Sequence, residues 1–499
     1  MPTSFIPFNT MAGLNWITPK LSLIQFRISS VQIATQEKRL SACTAFVSQG
    51  ESGRRSLLKI AVIGSGISGM SAAWLLSRNN DVTVYEREGR IGGHSHTYLV
   101  NRHGESPVPV DTGFIVFNEE TYPNLTALFA HLGVETMASE MSFAVSLDSG
   151  KLEYSGTGFS GLFAQQRNLF NPRFWMMLSD LLRFYRNTPS HAGKVGLIGL
   201  GEFLEREGYG NAFRDDHLLP MAAAIWSAPA STLLEYPAEA FIRFCDNHGL
   251  LKLSNRPLWR TVRGGSRAYV ELLTASYKDR IQTNCAATAV HRGRNHVLIT
   301  DVHGTTRSFD HVVMASHADE TLALLGDPSP MEQNLLSPFR YSVNQAMLHE
   351  DATLMPTRRA VWSSWNYLGH RQGEKNDSQL CVTYWMNKLQ PLKTDRQFFV
   401  TLNPCRQPDP RKIVHTQTYT HPLFDGQAMQ AQKQLWQLQG ERNTWYCGAY
   451  FGSGFHEDGL QSGLAVAEDL GGMRRPWTVE NESARIYRQP VANAMEIAA

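Results

Sequence analysis

The sequence has no C-x-x-C pair among its six cysteines, no H-x-x-x-H pair on a periodic helix among its 17 histidines, and no Cys/His cluster. Those gaps count against a structural zinc, an iron-sulfur cluster or a dithiol redox centre, whose ligand spacing makes them recognisable. No protein-bound metal is expected. Long apolar runs are missing too, since none approaches the ~20 residues of a membrane-spanning helix. The best stretch, His217 to Leu234, has no Lys, Arg, Asp or Glu, but Pro220 and Pro229 interrupt it. It suits a buried or pocket-lining segment. Excess charge is also small: 47 Lys and Arg against 45 Asp and Glu leave +2, so no global field favours nucleic acid as a partner. The scattered cysteines fit a reduced, cytoplasmic chain, with peripheral contact to a membrane kept open.

Residues 1–57 lack both periodicity and acids, Glu37 and Glu51 excepted. They read as a disordered or leader extension, either a targeting segment without the apolar core of a secretory signal or a start placed too far upstream.

What is present begins at Lys59. KIAVIG is a short β-branched run, GSGISG a glycine turn, MSAAWLLSR a helix and DVTVYE a second strand, which together predict a βαβ opening. Gly64, Gly66 and Gly69 form G-x-G-x-x-G between strand and helix: the first permits the tight turn, the second lets backbone approach a pyrophosphate, and the third lets helix and strand pack closely. Ile67 and Ser68 then supply free N–H groups at the positive end of a helix dipole. Glu86 ends the second strand about twenty residues after Gly66, placed to accept hydrogen bonds from a ribose diol and to repel a 2′-phosphate. A dinucleotide site without NADP is the expectation.

Further on, Thr121 to Leu132 reads as a helix with Pro123 near its start. Phe174, Met177, Leu178, Leu181 and Tyr185 recur at helical spacing and predict a core-facing stripe in preference to a membrane-surface one. Strands are expected at Ile281 to Asn284, His296 to Thr300, His311 to Ala315, Leu380 to Tyr384 and Thr444 to Cys447. With 499 residues the chain is long enough for more than one core.

After Glu86 come Arg87 and the pair Gly92–Gly93, which a plain nicotinamide fingerprint lacks. Here the sequence resembles the flavin amine oxidase superfamily, which includes carotenoid desaturases and protoporphyrinogen oxidases. Three further stretches fit in order: VDTGFIVFN from Val110, VRGGSRAYVELL with IQTNCAATAV behind it, and YCGAYFGSGFHEDGLQSGLAVAEDL. WNYL at Trp365 and TYWMNKLQPL at Thr383 are similar to a bacterial branch of NAD/FAD-binding proteins often found beside lipid methyltransferases, which keeps such a methyltransferase in view as a partner. The resemblance implies an α/β fold: a Rossmann-like FAD-binding domain of the glutathione reductase type interleaved with a mixed sheet-and-helix substrate domain. Its FAD segments would be 59–150, 256–320 and 441–475, its substrate segments 151–255 and 321–440, with a tail at 476–499.

The resemblance also implies noncovalent FAD contacted by Gly64, Gly66, Ile67, Ser68, Gly69, Glu86, Arg87, Gly92, Gly93, Ala287, Gly448, Asp458, Gly459 and Leu460. The closing helix is expected to aim its N-terminus at the flavin through Leu460. His94 stands where many amine oxidases have arginine, so one phosphate contact is missing or pH-dependent. Cys447 reads as a small buried strand residue. Tyr450, Phe451 and His456 are candidates for the flavin face, with Tyr450 and His456 as catalytic groups; alternatively His456, Glu457 and Asp458 only cap the helix. Trp175, Met176, Met177, Phe184, Met221 and Trp226 suggest an apolar pocket. The implied activity is hydride removal from an apolar small molecule, such as a fatty acyl chain, to oxygen or another carrier. Amine oxidation, isomerisation without net redox, and a non-catalytic FAD-binding partner are the alternatives.

Overall fold

The computed structural model describes residues 57–489 apart from 192–193, 197, 227–229, 248, 253–255 and 371–380. The expectation for 1–57 thus lies, Leu57 excepted, outside the described residues. The βαβ opening forms as the pattern predicts: β1 (Lys59–Ile63), α1 (Ile67–Leu76) and β2 (Asp81–Tyr85). Ile281–Gln282 is β3, His311–Met314 is β4, Thr444–Tyr446 is β5, and the closing helix His456–Asp469 is α2. These strands make one parallel sheet in the order β3-β2-β1-β4-β5. The order reverses between β1 and β4, and the crevice beyond the carboxyl ends of strands at such a reversal is where doubly wound sheets bind ligands. β1 is apolar and buried beyond Lys59, as a strand covered on both faces requires.

The stretch IQTNCAATAV splits between two sheets: after β3, Ala287–Arg292 opens a three-stranded antiparallel meander with Val297–Asp301 and Thr306–Phe309. A second, seven-stranded sheet runs in the order Ile413–Leu423, Arg340–His349, Phe399–Leu402, Cys381–Trp385, Trp365–Gly369, Phe143–Leu147, Leu152–Ser155. Only its Phe143–Leu147 to Trp365–Gly369 pairing is parallel. The Phe143–Leu147 strand falls inside the segment expected to belong to the FAD domain, yet it pairs in this other sheet. Trp259–Val262 likewise pairs with Phe117–Asn118 and Thr136–Ala138 rather than with the parallel sheet.

In the helical region, Asn171 accepts the Arg173 N–H and Pro172 occupies the first turn of the Pro172–Asn187 helix, a position where the missing N–H costs nothing. Phe174, Met177, Phe184 and Tyr185 are buried, with Leu178 and Leu181 packed against the core. Pro220 sits where the π-turn Arg214–Leu218 passes into the Leu219–Trp226 helix, so its lost donor falls in an already irregular turn. No described helix is long and apolar enough to cross a membrane.

The two ends of the chain meet where α1 lies on α2. All ten residues of α1 are buried. A Cβ on Gly463 would lie 2.2 Å from the Ser68 carbonyl oxygen, and one on Gly459 would lie 2.8 Å from Ile67 Cγ2 and Ser68 Oγ. Only glycine permits that approach.

Candidate functional site

Gly64, at φ +104°, turns the chain out of β1, its N–H donating to the Tyr85 carbonyl at 2.9 Å. Gly66 caps α1, and Met70 is the first residue to donate back to it, at 2.8 Å. The N–H groups of Ile67, Ser68 and Gly69 therefore have no intrahelical acceptor. A Cβ on Gly66 would meet nothing within 4 Å: the space in front of the turn is open. Behind it, Gly93 backs onto Gly66, where its Cβ would come 3.1 Å from the Gly66 Cα, and Arg90 Nη1 holds the Gly93 carbonyl at 2.8 Å. Gly92 donates to the Ser65 carbonyl at 3.0 Å. Glu86 is buried, its Oε2 accepting from Ser65 N and Oγ at 3.1 and 2.5 Å and its Oε1 from Glu88 N at 2.8 Å. Oε1, with a single donor, keeps acceptor capacity for a ribose hydroxyl.

A cavity of ≈ 820 Å³ opens from this turn, within the ~300–1,000 Å³ usual for small-molecule sites. Among the expected cofactor residues Gly64, Gly66, Ile67, Ser68, Glu86, Arg87, Gly93, Ala287 and Gly448 line it. Arg87 is half-exposed and paired with Glu320 at 2.6 Å. Gly69, Gly92, Asp458, Gly459 and Leu460 do not line it. Gly69 instead backs onto Gly64, with a Cβ position 2.0 Å from that carbonyl oxygen.

For the closing helix the expectation needs correcting. α2 starts at His456, so Gly459 already donates to Phe455 O at 3.1 Å, and Leu460 is wholly buried. Asp458 is the third helical residue; its Oδ2 accepts from Phe455 N at 2.8 Å and its Oδ1 faces Arg485 at 3.4 Å, which makes it part of the helix start and not of the cavity wall. The edge of α2 that reaches the cavity is Phe455 and His456. Glu457 points the other way, accepting from Asn124 N and Leu125 N at 3.0 Å each. It caps the Pro123–Leu132 helix across the domain, a favourable place for a carboxylate.

His456 is not free for proton transfer. Its Nε2 lies 2.7 Å from Tyr269 Oη and 3.0 Å from Ser95 Oγ, and its ring stacks on Phe114 at 3.8 Å. Burial pushes its pKa down to about 3. These three residues come from three separate family-like stretches and knot them together. Asp111, in the D-x-G stretch, does the same: its carboxylate accepts from Ser266 N at 2.9 Å, Thr97 Oγ1 at 2.6 Å and Gln390 Nε2 at 2.6 Å. Burial raises it to about 6. Sequence reasoning missed both knots, because their members share no spacing.

Tyr450 lines the cavity and its Oη has no protein partner among the described residues; the same holds for His94 Nε2. Phe451 instead packs edge-on to Trp436 and stays out of the wall. Cys447 is buried and its thiol is pushed up by burial, but it lies one residue past β5 and not in the strand. His94, His317 and His421 line the cavity together, His94 with ring centres 5.2 Å from His421, and burial holds all three below the ordinary histidine range. His94 is therefore neutral, not a pH-dependent cation near pH 7. Of the expected pocket residues only Trp226 lines the cavity. Met177, Phe184 and Met221 are buried elsewhere, and Trp175 and Met176 are on the outer surface.

The family profile for flavin containing amine oxidoreductases matches residues 67–364. The chain belongs to this family. Membership makes FAD its cofactor and oxidoreduction its class of chemistry, and an open glycine turn, a held ribose acid and unpartnered polar atoms in one cavity fit that group. A tryptophan 2-monooxygenase of Allorhizobium ampelinum is 36% identical over 104 residues, a match spanning 20% of this chain and 14% of that protein. Among solved structures, putrescine oxidase bound to putrescine superposes with a TM-score of 0.60 at 14% identity, covering 83% of this chain and 98% of that one. A CLA-producing fatty acid isomerase from P. acnes gives 0.59 at 18%, with the same coverage. These show the shared FAD-binding amine oxidase fold.

Two outcomes follow from this geometry. Gly66→Val places its side chain in open space, so the apoprotein should keep its thermal midpoint while FAD affinity, read by flavin fluorescence on dilution, falls at least about a hundredfold; equal affinity would remove the diphosphate from this turn. The second concerns pH. Unfolded histidine titrates near 6.5, whereas His421 is lowered to about 4 and His456 to about 3 in the folded chain. The unfolded chain then binds more protons between those values, so stability is full above pH ~6.5 and is lost as pH falls toward 4 and 3. The apoprotein's Tm should drop between pH 7 and 5, and His421→Asn should flatten that slope.

Proposed function

We propose that this oxidoreductase acts on an apolar, chain-like substrate, of which a fatty acyl group is the best candidate. One observation carries the reading: Glu86, Arg87, Glu88 and Glu320, all beside the nucleotide turn, are the charged side chains of the cavity wall among the described residues, histidines aside. The remaining wall includes Met141, Ile225, Trp226, Phe244, Leu250, Trp259, Trp365, Tyr384 and Leu402. Burying an unpaired ammonium there would be costly, and burying methylenes gains roughly 0.8 kcal/mol each.

When bound, FAD supplies a hydride acceptor, and desaturation needs a neighbouring proton to leave as well. The protein's part is to orient the chain along the apolar wall and to keep water out. His94, His317 and His421 add neutral polar groups to the wall, since burial makes each a weaker base than a free imidazole. His456 brings the start of α2, the positive end of its dipole, to the cavity wall, where negative charge is favoured.

A second reading, amine oxidation, is favoured by Trp226, Trp365 and Tyr384, since aromatic faces attract a cation. Isomerisation without net redox shares the same apolar wall. Anaerobic addition of free fatty acids and phospholipids, or of putrescine and longer amines, to the FAD-loaded protein separates the three. Bleaching of the flavin absorbance by acyl compounds alone is the expected result. Bleaching by amines alone would overturn the acyl reading, and conversion of an acyl chain with no lasting bleaching or acceptor use would establish isomerisation.

A further inference from the structure

The apolar pattern of the Pro172–Asn187 helix does not end with its buried side. Trp175 is 48% exposed, Met176 57% and Leu182 46%, and Leu182 lies two turns along from Trp175 on one face. Single exposed apolar side chains are ordinary, but contiguous ones mark a contact surface. These are contiguous with others. Phe159 (73% exposed) packs on Phe163 at 4.6 Å, Phe163 packs on Trp175 at 5.5 Å, and Trp175 Nε1 donates to the Leu169 carbonyl at 2.9 Å. Phe170, next to Leu169, is 87% exposed.

The charges around this patch have one dominant sign. Residues 159–191 hold Arg167, Arg173, Arg183 and Arg186 against a single acid, Asp180. Arg173 is committed to Asp216 at 2.8 Å, and Arg183 binds Asp180 at 2.9 Å and the Gly208 carbonyl at 2.8 Å. Arg167 and Arg186 are exposed.

We propose that the face made by the Phe159–Leu162 turn, the Gln166–Phe170 turn and the outer side of the Pro172–Asn187 helix seats the protein on an anionic lipid bilayer. A tryptophan whose ring is apolar and whose N–H is satisfied, phenylalanines on tight turns, and arginines at the rim are the composition of a helix lying in a membrane interface. Charge decides against a second copy of the chain as occupant: a two-fold contact through this face would oppose arginine rims, whereas an anionic surface attracts them. This proposal rests on the surface alone and does not depend on the substrate reading.

The test is flotation of the full-length, FAD-loaded protein with vesicles of phosphatidylcholine, alone or mixed with phosphatidylglycerol. The protein should float with the mixed vesicles and much less with the neutral ones. Phe170→Ser, Trp175→Ser and Met176→Ser combined should lower partitioning at least tenfold while leaving flavin content unchanged, with Tm lowered only by the loss of the Trp175 contacts to Phe163 and the Leu169 carbonyl. Arg167→Gln with Arg186→Gln should weaken binding to the anionic vesicles and leave the weak neutral binding as it was. Failure of the unaltered protein to float would overturn the proposal. So would equal flotation of the triple variant, which would assign binding to another segment, or a patch-dependent dimer in sedimentation.

Discussion

The site depends on one contact: two helices from opposite ends of the chain approach backbone to backbone because the later one carries glycine where it crosses the earlier one. Gly459 and Gly463 of α2 face Ile67, Ser68 and Ser71 of α1 with no room for a methyl group. That contact sets the start of α2 beside the start of α1, so Phe455 and His456 reach the cavity that the glycine turn of α1 opens. The parallel sheet positions α1, and β5 leads into the Ala449–Phe451 turn ahead of α2. The stretches between β2 and β5 that pair in the second sheet or form the helical region lie outside this parallel sheet, whereas β3 and β4 belong to it.

Buried polar groups do the locking. Glu457 ties α2 to the Pro123–Leu132 helix, Asp111 ties the D-x-G stretch to Ser266 and Gln390, and His456 joins Ser95 to Tyr269. Each links segments distant in sequence, and each sits where an unsatisfied group would be costly. The price of this arrangement is sensitivity to acid, since several of the histidines beside the cavity are held neutral. The cavity wall is otherwise apolar, which couples the fold's electrostatics to the kind of substrate it admits.

The opening βαβ unit and Glu86 were legible because strand, turn, helix and acid lie within one local stretch and each has a physical reason to be there. The closing helix was only partly legible. Gly459 looks like a helix start when compared with its family, but the acids Glu457 and Asp458 ahead of it are themselves first-turn signals and point to a start at His456. Trp175 and Met176 were misplaced because they were assigned to a pocket by their apolar character, although the helical period had already set Phe174, Met177 and Tyr185 on the buried side. The wall of His94, His317 and His421 had no sequence signal at all, being assembled from the glycine-doublet loop, the end of β4 and a strand of the second sheet.

The central claim is a single noncovalent FAD held between the two ends of the chain. Heat or acid denaturation of the purified protein, followed by chromatography of the released flavin, measures it directly. The expected result is a yellow protein that releases FAD, in a ratio near one per chain, with no flavin left on the polypeptide. A colourless protein that binds NAD alone, or one that releases FMN, would contradict it.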